Sequence, residues 1–163
     1  MISLSAHTVS FCYRSPLGVL RAEIEDGALS ALRFVDVCPS LGDGGSSALP
    51  VAQQLCNWLD DYFRGKRPAA LPPLSLGGTP FQRSVWNELL QIPYGQTVTY
   101  GEMARRIGCR SAQAVGQAVG RNPVVILVPC HRVVGAHGRL TGYAYGLNRK
   151  QQLLQLEKNI IGK

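Results

Sequence analysis

Residues 99–123 read TYGEMARRIGCRSAQAVGQAVGRNP, and this stretch decides the fold of its half of the chain. Thr99 and Glu102 have the spacing of a capping box, in which the hydroxyl and the carboxylate each satisfy a backbone N–H at a helix start. Gly108 ends that short helix, and Ser111 can cap a second one. Two short helices joined by a tight, glycine-containing turn predict a helix-turn-helix, which is typical of DNA-binding proteins.

The second of these helices has a face of small residues. Ala112, Gly116 and Gly120 share one side of it, flanked by Gln113 and Gln117. Glycine inside a helix costs about 1 kcal/mol relative to alanine, so such a face indicates that something approaches closely. Either a neighbouring helix or a nucleic-acid backbone would fit against this face. The arginines that bracket the helix favour nucleic acid, and they are Arg105, Arg106, Arg110 and Arg121.

The excess positive charge lies entirely in the second half of the chain. Residues 1–78 contain 6 Lys and Arg against 7 Asp and Glu, a net charge of −1. Residues 79–163 contain 11 against 3, a net charge of +8. Positive charge also serves solubility, but binding to a phosphate backbone requires such a concentration of it. The asymmetry therefore favours DNA as a partner.

The first half predicts a small sheet with a helix against it. Short apolar segments between turn residues predict strands at residues 9–13, 19–24 and 29–35. Apolar residues at helical spacing predict a helix at residues 51–63. Two segments rich in Gly, Pro and Ser predict a surface loop at residues 36–50 and the connection between the halves at residues 67–80.

The second half is predicted to be mainly helical. An apolar stripe of Phe81, Val85, Leu89 and Ile92 predicts its first helix, and its last helix should begin near Asn148. No apolar run approaches the roughly 20 residues of a membrane helix, and the N-terminus lacks the features of a secretory signal. We therefore expect a cytoplasmic protein without a membrane partner.

The five cysteines are odd in number and scattered along the chain, with no C-x-x-C pair. This pattern argues against a disulfide framework and fits a reducing compartment. A structural zinc site is not excluded by it, because ligands that are distant in sequence can converge in space.

The adjacent Cys130 and His131 predict a reactive site. They follow Pro129 and the fully apolar residues 124–128, and a buried, strand-like segment would be a rigid mount for a nucleophile. An inert buried Cys beside a surface His is the alternative.

Adjacent side chains of an extended segment point apart, so His131 is badly placed to bond Cys130 directly unless the chain turns there. A bridging water could carry the thiol proton to the imidazole, and a carboxylate on the far ring nitrogen would fix the tautomer. The basic half has three acidic residues. We select Glu157, because Glu102 is committed to capping and Glu88 lies in the first helix.

Residues 126–133, ILVPCHRV, strongly resemble the acceptor-cysteine motif of the methylated-DNA–protein-cysteine methyltransferases, also called 6-O-alkylguanine-DNA alkyltransferases. The resemblance runs almost continuously from Thr79 to Glu157 and continues more loosely through residues 1–78. Its other motifs in the second half are PFQR at 80–83, IPYG at 92–95, TYGE at 99–102, AVG at 114–116, NP at 122–123 and LTGY at 140–143.

The resemblance implies an α+β protein of two domains. Residues 1–78 would form a structural domain with a small sheet and a helix, of ribonuclease H-like type. Residues 79–163 would form a mainly helical, winged-helix-like domain on which the first domain packs. This second domain would carry the helix-turn-helix, bind DNA and accept the alkyl group.

The resemblance also implies direct-reversal DNA repair. Family members flip the damaged guanine out of double-stranded DNA, with the helix-turn-helix in the minor groove. Cys130 would attack the alkyl carbon on the 6-oxygen of guanine and keep the group as a thioether, and alkylated thymine is a further substrate to test. Each molecule would act once, with no cofactor. Apart from the resemblance, we expect no metal site, and a monomer is the default oligomeric state.

Matching residue by residue, His131 would be the base through a water, with Glu157 as its partner. Tyr100 would press on the phosphate beside the flipped nucleotide and help to protonate the leaving base, and Asn122 would hold the segment before the site. The residues that would contact DNA are Arg83, Ala112, Gln113, Gly116, Gln117 and Arg121. Tyr143 and Tyr145 would belong to the base pocket, and the backbone around Val134 and Ala144 would contact the base edge.

Two positions depart from the family pattern. Gln113 stands where the family usually has the Arg that fills the space of the flipped base; glutamine can still hydrogen-bond there, but it is shorter and uncharged. Tyr145 stands where a small residue, commonly Gly, is usual. It would narrow the pocket, stack on the base or turn outward.

Two other functions fit parts of the sequence. Gln113 favours a non-catalytic, regulatory protein that binds damaged DNA through the helix-turn-helix, with Cys130 inert. A Cys–His hydrolase acting on an acyl substrate would show repeated turnover, but the chain lacks an obvious glycine-rich oxyanion loop.

Overall fold

In the computed structural model, which describes residues 8–38 and 50–161, three strands precede a series of helices. The chain divides by its internal contacts into two units, Met1–Leu76 and Gly77–Lys163, two residues before the boundary that the sequence predicts. Most of the predicted loop at 36–50 lies outside the described residues. The architecture is mixed α and β, as predicted, while the ribonuclease H-like and winged-helix-like labels stay predictions.

The first unit is an antiparallel sheet followed by one helix. Its elements are β1 (Thr8–Ser15), β2 (Gly18–Glu25), β3 (Ala28–Val35) and α1 (Pro50–Phe63), with the strands in the order β1-β2-β3. Leu20, Ala22 and Ile24 alternate along β2 as buried residues, as expected for a sheet with one covered face. In α1, Leu55 and Leu59 are fully buried at helical spacing. The predicted strands and helix are therefore confirmed.

A disulfide in the first unit corrects the expectation drawn from cysteine spacing. Cys12 of β1 is bonded to Cys38, with their Cα atoms 6.2 Å apart. β2 lies between β1 and β3 and pairs antiparallel with both, so the end of β3 at Val35 lies opposite Val19, and Val19 lies opposite Arg14. The chain leaving β3 can therefore return across the sheet to Cys12. Such proximity comes from topology, which spacing in sequence does not report.

The second unit holds the predicted helix-turn-helix. Its helices are α2 (Pro80–Leu89), α3 (Tyr100–Arg106), α4 (Ala112–Gly120) and α5 (Leu147–Ile161). Thr99 Oγ1 accepts from the Glu102 backbone N–H at 3.1 Å, and Glu102 Oε2 accepts from the Thr99 N–H at 3.0 Å. Ser111 Oγ accepts from the Ala114 N–H and starts α4. The capping box and the second cap are thus both formed.

The buried face of α2 differs from the predicted stripe. Val85, Trp86 and Leu89 are buried, and the Trp86 indole N–H donates to the Ala118 carbonyl oxygen in α4 at 2.8 Å. Phe81, in the first turn of α2, lies outside this face and is 38% exposed. The indole hydrogen bond orients the helix, and no periodicity of apolar residues could reveal it.

A short parallel pair, β4 (Val98–Thr99) and β5 (Val133–Val134), joins the start of the helix-turn-helix to the residues after Cys130. Within the described part of the chain, no helix combines the length and apolarity needed to cross a membrane. In those same residues, no three His, Cys, Asp or Glu side chains cluster to hold a metal ion.

Candidate active site

The segment before Cys130 is a buried series of turns rather than the predicted strand. Ile126 has a φ of +73°, and the Leu127 and Val128 amides donate back to the carbonyls of Val125 and Val124. All five residues from 124 to 128 are buried. An unbroken apolar run specifies burial but not the backbone path, which is why the strand prediction is wrong here.

The side chain of Asn122 bridges the two ends of this segment by hydrogen bonds. Its Nδ2 donates to the Val128 carbonyl oxygen at 2.7 Å, and its Oδ1 accepts from the Val124 N–H at 3.0 Å. Because the residue is buried and bonds both ends of the segment, it fixes the shape of the mount that leads to Cys130. The resemblance implied a holding function for Asn122, and these bonds are its physical means.

Cys130 opens a single turn of 3-10 helix, Cys130–Arg132, so the chain does bend between Cys130 and His131. The thiol residue is only 7% exposed. Burial raises the pKa of the Cys130 thiol, whereas the Asn122 side chain and the Lys150 ammonium group lower it. If Cys130 is a nucleophile, it would therefore need a neighbouring group to take its proton.

His131 is fully buried, and one of its two ring nitrogens is hydrogen-bonded. Its Nε2 lies 2.6 Å from Oε1 of Glu157, which is also fully buried. Its Nδ1 is buried and has no hydrogen-bond partner among the described residues. One ring nitrogen is thus oriented by a carboxylate, and the other is left for a further contact.

Arg132 completes the cluster, although the sequence analysis assigned it no function. Its Nε and Nη2 donate to Glu157 Oε2 and Oε1 at 2.8 and 2.7 Å, and its Nη1 donates to the Ile92 carbonyl at 2.6 Å. Its guanidinium lies 4.5 Å from the ring centroid of Tyr94. Burial alone would raise the pKa of Glu157, but His131 and Arg132 outweigh burial and hold it at about 2.

A cavity of about 260 Å³ opens at Cys130. It is lined from α3 and α4, from the turn that holds Cys130, and from the loop before α5, by Tyr100, Gly116, Val119, Gly120, Asn122, Val125, Cys130, Gly142, Tyr143, Ala144 and Tyr145. The rings of Tyr143 and Tyr145 meet edge to face, with centroids 5.9 Å apart. Six of the predicted site residues besides Cys130 therefore line this one cavity: Tyr100, Gly116, Asn122, Tyr143, Ala144 and Tyr145.

The hydroxyl groups of this cavity have different partners. Tyr100 donates to the Thr141 carbonyl oxygen at 3.3 Å, and burial, followed by the nearby Cys130, raises its pKa. The Tyr143 hydroxyl is buried with no hydrogen-bond partner among the described residues. Burial likewise raises the pKa of Tyr143. Both phenols are therefore held as neutral hydrogen-bonding groups.

The structure places Val134 away from this cavity. It is buried in β5, where it pairs with Thr99, and it lines a second cavity on β5 and α5. Its side chain therefore does not form the wall of the cavity at Cys130, and any contribution of this position to the base pocket would have to come from the backbone.

The predicted DNA-contacting residues of α4 are open to solvent. Ala112, Gln113 and Gln117 are exposed, as are Arg121 after the helix and Arg83 in α2. A Cβ at Gly116 would lie 3.7 Å from the Tyr100 ring, which is an ordinary van der Waals contact, and a Cβ at Gly120 would meet nothing within 4 Å. The contacts within the second unit therefore do not by themselves require glycine at either position.

Comparisons with known proteins agree with this geometry. Residues 80–159 match the family described as 6-O-methylguanine DNA methyltransferase, DNA binding domain. A methylated-DNA–protein-cysteine methyltransferase of Mycobacterium leprae is 47% identical over 154 residues, which cover 90% of each chain. A protein of the same name from Methanosarcina acetivorans is 55% identical over 100 residues, 61% of this chain and 64% of that one.

A similar structure is the Mycobacterium tuberculosis OGT in complex with DNA. It superposes with a TM-score of 0.81 at 42% identity, covering 91% of this chain and 92% of the other. A 6-O-methylguanine DNA methyltransferase from Methanococcus jannaschii superposes with a TM-score of 0.66 at 25% identity, covering 91% and 93%. The likeness therefore includes the residues of the first unit as well as the second.

Proposed function

Because the chain belongs to the methylated-DNA–protein-cysteine methyltransferase family, we propose that it repairs DNA by moving an alkyl group from the 6-oxygen of guanine onto the Sγ atom of Cys130. The choice of Cys130 as the acceptor rests on its position in the wall of a cavity. The next residue, His131, is hydrogen-bonded to Glu157. The enzyme is a single-turnover methyltransferase, because a thioether has no hydrolytic step to release it.

The reaction is one displacement at carbon. The Cys130 sulfur forms a bond to the alkyl carbon while the bond between that carbon and the guanine oxygen breaks. The electron pair of the broken bond stays on the base, which takes up a proton and becomes guanine again. The thiol gives one proton to the protein and the base takes one proton from the protein, so charge and atoms balance without a cofactor.

The proton leaves through His131. Nε2 of its ring is engaged by the Glu157 carboxylate, so the base is Nδ1, the ring nitrogen without a partner among the described residues. A single water between Sγ and Nδ1 would carry the proton, and Glu157 would stabilise the resulting imidazolium. Its low pKa keeps Glu157 ionised throughout.

The cavity takes the flipped base. The Tyr143 hydroxyl, which has no hydrogen-bond partner in the described part of the chain, can bond to a base edge. The rings of Tyr143 and Tyr145 offer apolar surface on which a base can stack. Ala144 lies in the same wall, and its backbone would contact the edge of the base. Tyr100 is placed between this wall and α4, where its hydroxyl can reach the phosphate of the flipped nucleotide and support protonation of the leaving base.

Double-stranded DNA is bound through α4 in the minor groove. The exposed face of Ala112, Gln113 and Gln117 would approach the groove closely, and Arg121 and Arg83 would contact phosphates. Gln113 would hydrogen-bond in the space that the flipped base leaves. We propose that the protein works as a monomer in the cytoplasm, since its substrate is cellular DNA and the cavity is built within the second unit alone.

The test is a mass measurement. The purified protein, without cofactor, is mixed with duplex DNA that carries 6-O-methylguanine, and its intact and peptide masses are recorded. One methyl group on the Cys130 peptide, gained once per molecule, is the expected result, and Cys130→Ala should gain none while binding the same DNA. Tight binding without any mass gain would contradict transfer and favour the non-catalytic damage-binding protein, while repeated turnover would indicate a hydrolase.

A further inference from the structure

The buried side of α5 carries two charged residues. Lys150, Leu153, Glu157 and Ile160 recur at helical spacing and are all buried. Lys150 is 0% exposed, and it is the one lysine buried among the residues the structure describes. An ammonium group loses several kcal/mol of hydration on burial, so its partners should reveal what it does.

The partners of Lys150 belong to the cavity wall. Its Nζ donates to the Thr141 carbonyl oxygen at 3.2 Å and to the Gly142 carbonyl oxygen at 3.1 Å. The Tyr100 hydroxyl donates to the same Thr141 oxygen at 3.3 Å. Thr141 and Gly142 are the first two residues of the segment 141–146, which we call the pocket loop. This loop supplies Gly142, Tyr143, Ala144 and Tyr145 to the cavity.

The pocket loop has no regular secondary structure to hold its shape. Gly142 has a φ of +64°, and Tyr143 accepts a turn hydrogen bond from the Gly146 N–H at 3.0 Å. The Lys150 ammonium group therefore supplies the bonds that connect the start of the loop to α5. Helical spacing places Lys150 two turns before Glu157, so one helix holds both the cavity wall and the partner of His131.

The charge of Lys150 also acts on the thiol. Burial raises the pKa of Cys130, and the Lys150 ammonium group opposes that rise. Reciprocally, burial lowers the pKa of Lys150, and Cys130 raises it. Among the residues that the structure describes, the other titratable groups near Cys130 are the phenols Tyr100 of α3 and Tyr143 of the pocket loop, together with the adjoining His131.

We propose that Lys150 is a positioning residue of the transfer reaction, whose ammonium group holds the pocket loop at the cavity of Cys130 through the Thr141 and Gly142 carbonyl oxygens. This inference rests on the proposed function, since it concerns the same cavity. A purely structural lysine would be replaceable by an apolar side chain of similar length, because burying the charge by itself stabilises nothing.

The variants separate the hydrogen bonds from the charge. Lys150→Met removes both, whereas Lys150→Gln keeps an N–H donor without charge, and Lys150→Arg keeps charge and donors in a larger group. The matched control is Lys158→Met, an exposed lysine on the same helix. Thermal unfolding of each variant shows which of them are folded at the assay temperature.

Two rates are measured on each folded variant. The first is single-turnover methyl transfer from saturating methylated duplex, together with the DNA concentration at half saturation. The second is the reaction of Cys130 with iodoacetamide across roughly pH 6–9, followed by peptide masses, with the free thiols Cys56 and Cys109 as internal references.

For Lys150→Met we expect the saturated transfer rate to fall at least about tenfold with half-saturation almost unchanged, since α4 is untouched. The Cys130–iodoacetamide profile should move to higher pH in Lys150→Met and Lys150→Gln, but not in Lys150→Arg or Lys158→Met. A wild-type transfer rate and profile in both uncharged variants would overturn the inference. If the wild-type protein transfers nothing, the proposed function fails, and the iodoacetamide profiles still decide whether Lys150 acts on Cys130.

Discussion

Oε1 of Glu157 lies 2.6 Å from Nε2 of His131, although 26 residues separate the two in sequence. The same oxygen accepts from Nη2 of Arg132 at 2.7 Å. A carboxylate shared by an imidazole and a guanidinium cannot swing away from either, because both partners are buried with it. The ring of His131 is therefore held in one orientation before any DNA is present.

If His131 removes the thiol proton, His131→Ala should lower the single-turnover transfer rate by about a hundredfold or more, which is the usual contribution of a general base. Affinity for methylated duplex should be preserved, because His131 is buried and α4 is unchanged. Rapid-quench transfer assays and DNA titrations measure the two quantities. An unchanged rate in a folded His131→Ala protein would exclude the relay.

Glu157 predicts a dependence of stability on pH. Its pKa falls from 4.5 in the unfolded chain to about 2 in the folded protein, so its contribution is fully present above pH 4.5 and is lost as the pH falls through about 2. The shift corresponds to roughly 3 kcal/mol. Urea unfolding at a series of pH values should show this loss in the wild type.

Glu157→Gln is the matching variant. It should be less stable at pH 7, because Arg132 keeps a buried charge without its carboxylate, and the acid-dependent loss should largely disappear. Exposed carboxylates provide the control, and Glu25→Gln should leave the curve as it is. A wild-type pH dependence in Glu157→Gln would assign the acid sensitivity to other groups.

DNA affinity should fall as salt rises, because phosphate contacts release bound counterions. In Arg121→Ala, the slope of log K against log salt should become shallower by about one if this residue contacts a phosphate. Arg14→Ala, on an exposed position of β1, serves as the control and should keep the wild-type slope. A slope that is the same in all three proteins would remove Arg121 from the interface.

Tyr145 should limit the size of the alkyl group. Its ring lines the cavity and meets Tyr143 edge to face, so Tyr145→Gly opens space beside the reacting carbon. We expect the ratio of benzyl to methyl transfer rates to rise by about tenfold in this variant, and Tyr145→Phe, which keeps the ring, to leave it near the wild-type value. Equal ratios in all three proteins would mean that the ring does not restrict the substrate.

Local signals predicted the elements of the fold well. The capping box of Thr99 and Glu102 and the cap at Ser111 are formed by residues three positions apart, so the sequence alone specifies them. The turns at residues 124–128 were not predictable in this way, since apolar side chains report burial but not φ. The disulfide of Cys12 and Cys38 depends on strand order, which cysteine spacing does not contain.

The residues of the candidate site likewise divide into those that the sequence predicted and those that it did not. Cys130 and His131 are neighbours in the chain, and few acidic residues compete with Glu157, so elimination was sufficient to pair them. Arg132 and Lys150 were missed because their partners are a carboxylate and carbonyl oxygens from other segments. One signal for a buried cation was available in the sequence, because Lys150 falls among the apolar residues on one face of the predicted last helix.

The position of α5 in the chain sets an order of events during synthesis. Cys130, His131 and the walls of the cavity are synthesised before Lys150 and Glu157. Until α5 docks, the imidazole has no carboxylate and the pocket loop has no anchor. A chain that ends before α5 would therefore have Cys130 and His131 but neither the carboxylate that orients the imidazole nor the ammonium group that bonds the pocket loop.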